Sequence, residues 1–394
     1  MHVLFILHNL FACCRSSFDL RTLKTLYCVV DALIKCRKLS ITSLGRSLNR
    51  DCYVKHKIKT VDRLFGNPKL HRNSNLIYKA MLRKIVGCNN NPIIIIDWSG
   101  LTPCGNYHFI RAAIPVGGRA LPIFEVPYQL KDYTSPKTHK KFLKSLKEIL
   151  PEKCKPIILT DAGFRNPWFQ LVLSLGWDYI GRIRQNTTCQ KIDNKNWFPI
   201  KELYGNATLK AKYLGQFLLA KKNSLSTNLY IMKEKSKHRS KRNLVGKKVR
   251  CSSSLKHAKR ESEPLLLASS LNDKKYRSAQ ILNIYQKRMQ IEEGFRDLKN
   301  ERTGFSLRQN RSMSVGRLSV ALLIGAIAML ILWIIGLAAK KRQLHYHFQA
   351  NTIKSQNVLS VFMIGWQVLE EGKTLFKTHE INESLNLLQE AQYV

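Results

Sequence analysis

Acidic side chains are scarce in this chain: 26 Asp+Glu stand against 66 Lys+Arg, a formal net charge of +40 over 394 residues. An imbalance of that size does not choose a fold. It does constrain partners: against the simpler reading of a merely soluble basic protein, a polyanion, most commonly nucleic acid, is the natural one. Paired cysteines are also lacking. The ten cysteines are scattered singly apart from Cys13 and Cys14, with no CxxC pair and no Cys/His cluster at zinc spacing. That excludes a zinc finger and fits reduced thiols in the cytosol. No internal repeat is visible. The apolar N-terminus, residues 1–14, lacks a basic leading region and is interrupted by His8 and Asn9, so it is not read as an export signal.

Charge is absent altogether from Val320 to Ala339, twenty residues, enough to span a bilayer. Arg317 on one side and Lys340, Lys341 and Arg342 on the other suit a membrane span or a fully buried core helix equally. Only one such segment exists, and the buried helix is favoured. Hydrophobic residues make up 44% of the chain, which argues for a folded protein.

Residues 1–88 read as helical. Leu20, Leu23, Leu26, Tyr27, Val30, Leu33 and Ile34 recur at helical spacing. Ser40–Leu48 predicts a short capped helix. A second helix is expected over Val54–Phe65, with Val54, Ile58, Val61 and Leu64 on one face. Lys55, Lys59 and Arg63 lie on another, with Lys57 near it, which suits a DNA groove. An alternating α/β stretch follows. Pro92–Ile96 is a β-branched run that reads as a strand buried on both faces and ends at Asp97. Tyr107–Ile114 and Ala120–Val126 read as strands joined by a Gly117-Gly118 turn. Thr138–Leu150 reads as a helix, Pro156–Thr160 as a strand ending at Asp161, Asn166–Leu175 as a helix and Tyr179–Arg182 as a strand. Residues from about 185 to 264 break this rhythm. Between Lys233 and Arg260 stand twelve Lys/Arg and one acid, Glu234, either a solvated loop or a grip on the DNA backbone. Leu265–Ala268 is a further strand, Ser278–Lys299 a strong helix, and the remainder is helical.

Asp97 and Asp161 each follow an apolar strand, where carboxylates emerge at a sheet edge and sites in α/β folds form. Grouped carboxylates in so basic a protein suit hard cations such as Mg²⁺ or Mn²⁺. On the helix at 278–299, at 100° per residue, Tyr285, Arg288, Glu292 and Lys299 fall within a stripe roughly 60° wide. Ile281, Ile284, Ile291, Phe295 and Leu298 form the apolar stripe beside it. A surface salt-bridge ladder is the simpler account, since Arg288 and Glu292 are i,i+4 partners, but it does not explain why the ladder borders the buried face. Glu293 lies about 100° from Glu292 and is the poorer candidate.

The pattern Tyr285-x2-Arg288-x3-Glu292-x6-Lys299 resembles the signature of the insertion-sequence-four family of bacterial DDE transposases. Ile96-Asp97-Trp98-Ser99 and Asp161-Ala162-Gly163-Phe164 resemble its other two acidic motifs. Lys55–Leu64 resembles its N-terminal DNA-binding segment, and His347–Thr352 with Asn357–Ser360 its C-terminal part. The resemblance implies a ribonuclease-H-like α/β catalytic core with a β-rich insertion, a helical N-terminal DNA-binding domain and a helical C-terminal region. The segments expected are 1–88, 89–184 for the first part of the core, 185–270 for the insertion, 271–340 for the second part and 341–394 for the C-terminal region. Asp161 and Glu292 stand 131 positions apart, which leaves room for the insertion, and residues 320–339 become a core helix. It further implies that Asp97, Asp161 and Glu292 hold two Mg²⁺ ions, with Mn²⁺ able to substitute, and that Tyr285, Arg288 and Lys299 bind DNA phosphates. Lys55, Lys57, Lys59 and Arg63 would bind the terminal inverted repeats. Cut-and-paste transposition through hairpins is implied, with a homodimer in the synaptic complex, target DNA as second partner and a cytoplasmic, nucleoid-associated location without membrane. Many relatives carry Trp in the strand before the glutamate helix; this chain has Leu265, which counts against base stacking there. A decayed transposase that only binds DNA is the competing expectation.

Overall fold

The computed structural model describes residues 3–184, 187–233, 251–252, 263–350, 352 and 358–392. The chain forms two compact units. One comprises Met1–Pro156 with Met289–Val394, the other Ile157–Arg288. The basic stretch Lys233–Arg260 lies almost wholly outside the described residues, and the His347–Thr352 and Asn357–Ser360 motifs do so in part.

The first unit opens with α1 (Val3–Leu10), α2 (Leu20–Cys36), α3 (Ile41–Ser47), α4 (Val54–Phe65) and α5 (Pro68–Val86). Their starts follow the capping rule. Side chains of Asp19, Ser40 and Asn67 accept hydrogen bonds from Thr22 N, Ser43 N and Leu70 N, and Pro68 occupies the first turn of α5. α3 and α4 cross at Gly45, where any Cβ would collide with the Ile58 backbone. In α4, Val61, Leu64 and Phe65 are buried and Ile58 partly so. Val54, expected on that face, is 49% exposed because it lies in the first turn, before the helix reaches the core.

Next come β1 (Ile93–Gly100), β2 (Tyr107–Pro115) and β3 (Ala120–Gln129), a meander in the order β3-β2-β1. Gly117 and Gly118 turn β2 into β3 with φ of 79° and 88°, angles that favour glycine. All four isoleucines of β1 are buried, as a strand covered on both faces requires. Then α6 (Pro136–Ile149) starts from a Ser135 cap that accepts from Thr138 N.

The second unit holds β4 (Ile157–Thr160), α7 (Asn166–Ser174), β5 (Asp178–Arg182), β6 (Thr188–Lys191), β7 (Phe198–Pro199), β8 (Lys212–Leu219), β9 (Leu225–Met232), β10 (Leu265–Ser269) and α8 (Ser278–Gln286). Its strands run β4-β5-β10-β9-β8-β6-β7. β4 and β5 are parallel, joined by a strand–helix–strand crossover through α7. The other pairs are antiparallel. Phe169 of α7 stacks on Tyr179 of β5 at 4.4 Å between centroids.

The chain returns to the first unit with α9 (Gln290–Lys299), α10 (Val315–Lys341), α11 (His345–Phe348), α12 (Val361–Glu371) and α13 (Thr378–Glu390). α10 is long and apolar enough to cross a membrane, yet 94% of its apolar window is buried inside the protein. It packs on α2, α4, α5, α12, α13 and β3, the arrangement expected of a helix that is hydrophobic all round. The continuous helix expected over Ser278–Lys299 is interrupted. Lys287–Met289 is a 3₁₀ turn between α8 and α9. The break falls where the chain leaves one unit for the other, so each half buries its own residues: Ile281, Leu282, Ile284 and Tyr285 in α8, Ile291, Phe295 and Leu298 in α9. A 3₁₀ turn winds about 120° per residue, so the single 60° stripe assumed for a uniform helix does not carry across it.

Candidate active site

In the first unit, Asp97 is the first residue of β1 to leave the core, and its Oδ1 accepts a hydrogen bond from Trp98 N at 2.8 Å. Strand alternation puts Asp97 and Ser99 on one face and Trp98 on the other. Trp98 Nε1 donates to His139 Nε2 at 3.2 Å. Antiparallel register sets Asp97 opposite Arg111 and Arg111 opposite Glu125, a row of charge across three strands. Arg111 and Glu125 are buried completely, with Nε and Nη2 both 2.8 Å from Oε1. Burial pushes the Glu125 carboxyl up, and Arg111 opposes the shift.

α9 lies on this face. Phe295 meets Phe109 edge-on at 5.4 Å, and Gly294 approaches Ala120 and Arg111 so closely that a side chain would not fit. Two turns after the exposed Glu292, Lys299 Nζ donates to Ser99 Oγ at 2.5 Å and sits 5.4 Å from the Phe109 and Phe295 ring centroids. Burial lowers the Lys299 pKa to about 8. Arg111 and Arg308 act in the same direction, and the fields of Asp97 and Glu125 oppose them. Glu292 and Lys299 are both in α9, so their seven-residue spacing places them on one face. Glu293 is engaged elsewhere, 3.4 Å from Arg119 and 2.7 Å from Arg296. Arg119 also holds Asp297 at 2.9 Å.

In the second unit, Asp161 follows β4 directly. Its Oδ1 accepts from Gly163 N at 2.9 Å, a local turn that fixes the carboxylate. Tyr285 of α8 is 6% exposed. Burial raises its pKa to about 12, Arg288, Arg182 and Arg184 lower it, and the Asp161 charge raises it. The Tyr285 hydroxyl therefore stays protonated at neutral pH, in the combined field of three guanidinium groups and one carboxylate.

Arg182 and Arg184 were not anticipated from sequence. The signal was there: an Arg-x-Arg alternation at the end of β5 points both side chains the same way. Leu265 is 5% exposed at the start of β10, paired with Met232 of β9. On α4, Lys55, Lys59 and Arg63 are exposed and Lys57 half-buried. Lys59 lies 4.0 Å from Asp62.

Among the described residues no three His, Cys, Asp or Glu side chains are grouped closely enough to share a metal ion. Carboxylate oxygens such as those of Asp97 and Glu292 in the first unit, or of Asp161 in the second, are hard donors of the kind Mg²⁺ and Mn²⁺ prefer. No curated protein matches the chain. Residues 90–331 match the family described as Transposase DDE domain, well over half of the chain and a span that includes every acidic and basic residue of the two clusters. The protein therefore belongs to the DDE transposases.

Proposed function

We propose that this transposase moves an insertion sequence by cut and paste, and that it belongs to the insertion-sequence-four group, near the transposase of the composite tetracycline-resistance transposon. The observation that carries the reading is the bond from Lys299 to Ser99. It ties the last residue of the Tyr285–Arg288–Glu292–Lys299 pattern to a serine 200 residues earlier in the chain and two after Asp97, whose charge acts on it. A salt-bridge ladder on a surface helix would not do so.

In this reading Asp97, Asp161 and Glu292 are the metal ligands. Two bound divalent ions supply activation of a hydroxyl nucleophile and neutralisation of charge on the leaving 3′-oxygen. The chain's own residues do the rest. Lys299, wedged between two phenyl rings and tethered to Ser99, presents a point charge to a phosphate oxygen. Arg288 offers a planar fork that can hold two phosphate oxygens at once. Tyr285 donates its proton to a phosphate and does not release it, because its pKa lies near 12. Lys55, Lys57, Lys59 and Arg63 on α4 bind the terminal inverted repeats. The reaction sequence is nicking, hairpin formation, hairpin opening and strand transfer into target DNA. It is carried out by a homodimer in the cytoplasm at the nucleoid. The chain retains all three acids, which favours an enzyme over a descendant that only binds DNA.

The test is to incubate the protein with duplex DNA carrying the repeats that flank its coding region, with and without Mg²⁺. We expect Mg²⁺-dependent nicks at the repeat ends. Tight, sequence-specific binding without any cleavage would leave only the DNA-binding reading.

A further inference from the structure

The outer face of α6 carries Lys137, Lys140, Lys141, Lys144 and Lys147, all exposed, while Thr138, His139, Phe142, Leu143, Leu146 and Ile149 fill the inner face. At 100° per residue the five lysines occupy a stripe about 120° wide. None of them has an ion-pair partner among the described residues. The one acid of the helix, Glu148, falls within the same arc at its C-terminal end, four residues after Lys144, and its backbone carbonyl accepts from Lys79. Some bases of this unit are matched, Lys341 with Glu383 at 2.6 Å and the partly buried Arg317 with Asp62 at 2.6 Å, but the α6 lysines stand together on one helix face.

The stripe works against its own helix. Lys137–Lys140, Lys137–Lys141, Lys140–Lys144, Lys141–Lys144 and Lys144–Lys147 are same-sign neighbours at i,i+3 or i,i+4, each repulsive. Lys137 also sits in the first turn, where the helix dipole disfavours a cation and no acid is present. A face kept merely for solubility mixes both signs. Five lysines to one acid is the balance of a face that receives a polyanion. From Lys137 to Lys147 the helix advances about 15 Å. Along a duplex that distance passes about four phosphates of one strand at about 3.4 Å each, so spacing as well as sign is matched.

We propose that the lysine face of α6 is a sequence-independent contact surface for the sugar–phosphate backbone of duplex DNA, distinct from the end-binding face of α4. The proposal rests on DNA being the partner but not on recognition of the transposon ends. Lysine on a smooth helix face reads phosphates and carries no base information, so one surface serves target duplex and transposon duplex alike.

The test uses the full chain with all five lysines changed to Gln, a good helix former, and a second variant with all five changed to Arg. Affinity is measured over a salt series for an end-bearing duplex and for an unrelated duplex. Each lost phosphate contact lowers the slope of log K against log salt by about 0.9. The Gln variant should be shallower by about 2 or more on both duplexes, the Arg variant should keep the parent slope, and thermal unfolding should not fall. A smaller change, or a loss confined to the end-bearing duplex, overturns the proposal. If the parent protein fails to prefer the end-bearing duplex while the slope change persists, the end-recognition reading falls and the α6 surface stands.

Discussion

Replacing Lys299 with Met should make the protein more stable at neutral pH and less able to cut DNA. Met matches the aliphatic stem of Lys and suits the cleft between Phe109 and Phe295. The Lys299 pKa falls from 10.5 in a free side chain to about 8 in the folded protein, chiefly through burial. A depressed lysine pKa means the folded state binds its proton more weakly than the unfolded state does. Below pH 8 the ammonium is present in both states and the full penalty applies. Between about pH 8 and 10.5 the folded state gives up its proton first, so stability recovers as pH rises. A shift of this size corresponds to roughly 3 kcal/mol at pH 7, of which roughly 2 kcal/mol is recovered by pH 9.5. Partial exposure screens the charge, so about 1–2 kcal/mol is the realistic recovery. The assay is denaturant unfolding of parent and variant at pH 7 and pH 9.5, read as a double difference in which the other titrating groups cancel. The variant should gain at pH 7 and most of that gain should vanish at pH 9.5. A variant less stable than the parent at pH 7, or a difference independent of pH, would refute the argument that this lysine is held at a cost to stability for the sake of the site.

Two further outcomes follow from the packing. Glu125→Gln strands the Arg111 guanidinium in a fully buried row and should cost about 3–5 kcal/mol. Changing Arg111 to Met and Glu125 to Leu together should cost little or nothing, and a double variant as unstable as the single one would contradict this. Changing Lys55, Lys59 and Arg63 to Ala should weaken binding to the end repeats while leaving the melting temperature within a degree or two, because all three are exposed. Unchanged end binding in a gel-shift titration would remove α4 from the interface.

How much could be read from the residues depended on range. The isoleucine run before Asp97 and the short apolar strand before Asp161 announced their strands, because β-branched runs have few alternatives. The uncharged segment 320–339 was legible as a helix but not as to its surroundings, since a lipid-facing and a protein-buried helix share a composition. Its burial came from α2, α5, α12 and β3, which no local pattern reports. The 3₁₀ turn at Lys287–Met289 was hidden because residues 278–293 contain no proline or glycine. The break reflects the change of unit at Arg288, a tertiary fact. Arg111 and Glu125 looked like ordinary strand residues. Only the register that sets them opposite one another, and Asp97 opposite Arg111, shows them as a charged row beneath α9.

Two adjacent glutamates, Glu292 and Glu293, compete for the catalytic role. Glu292 lies on the face of α9 that also bears Lys299, and Glu293 lies against Arg119 and Arg296. The measurement is Mg²⁺-dependent cleavage of an end-bearing duplex by Glu292→Gln and, separately, by Glu293→Gln, with end binding followed in parallel. Glu292→Gln should bind ends normally and cut none, and Glu293→Gln should still cut. Cleavage surviving in Glu292→Gln, with Mg²⁺ supplied, would contradict the assignment.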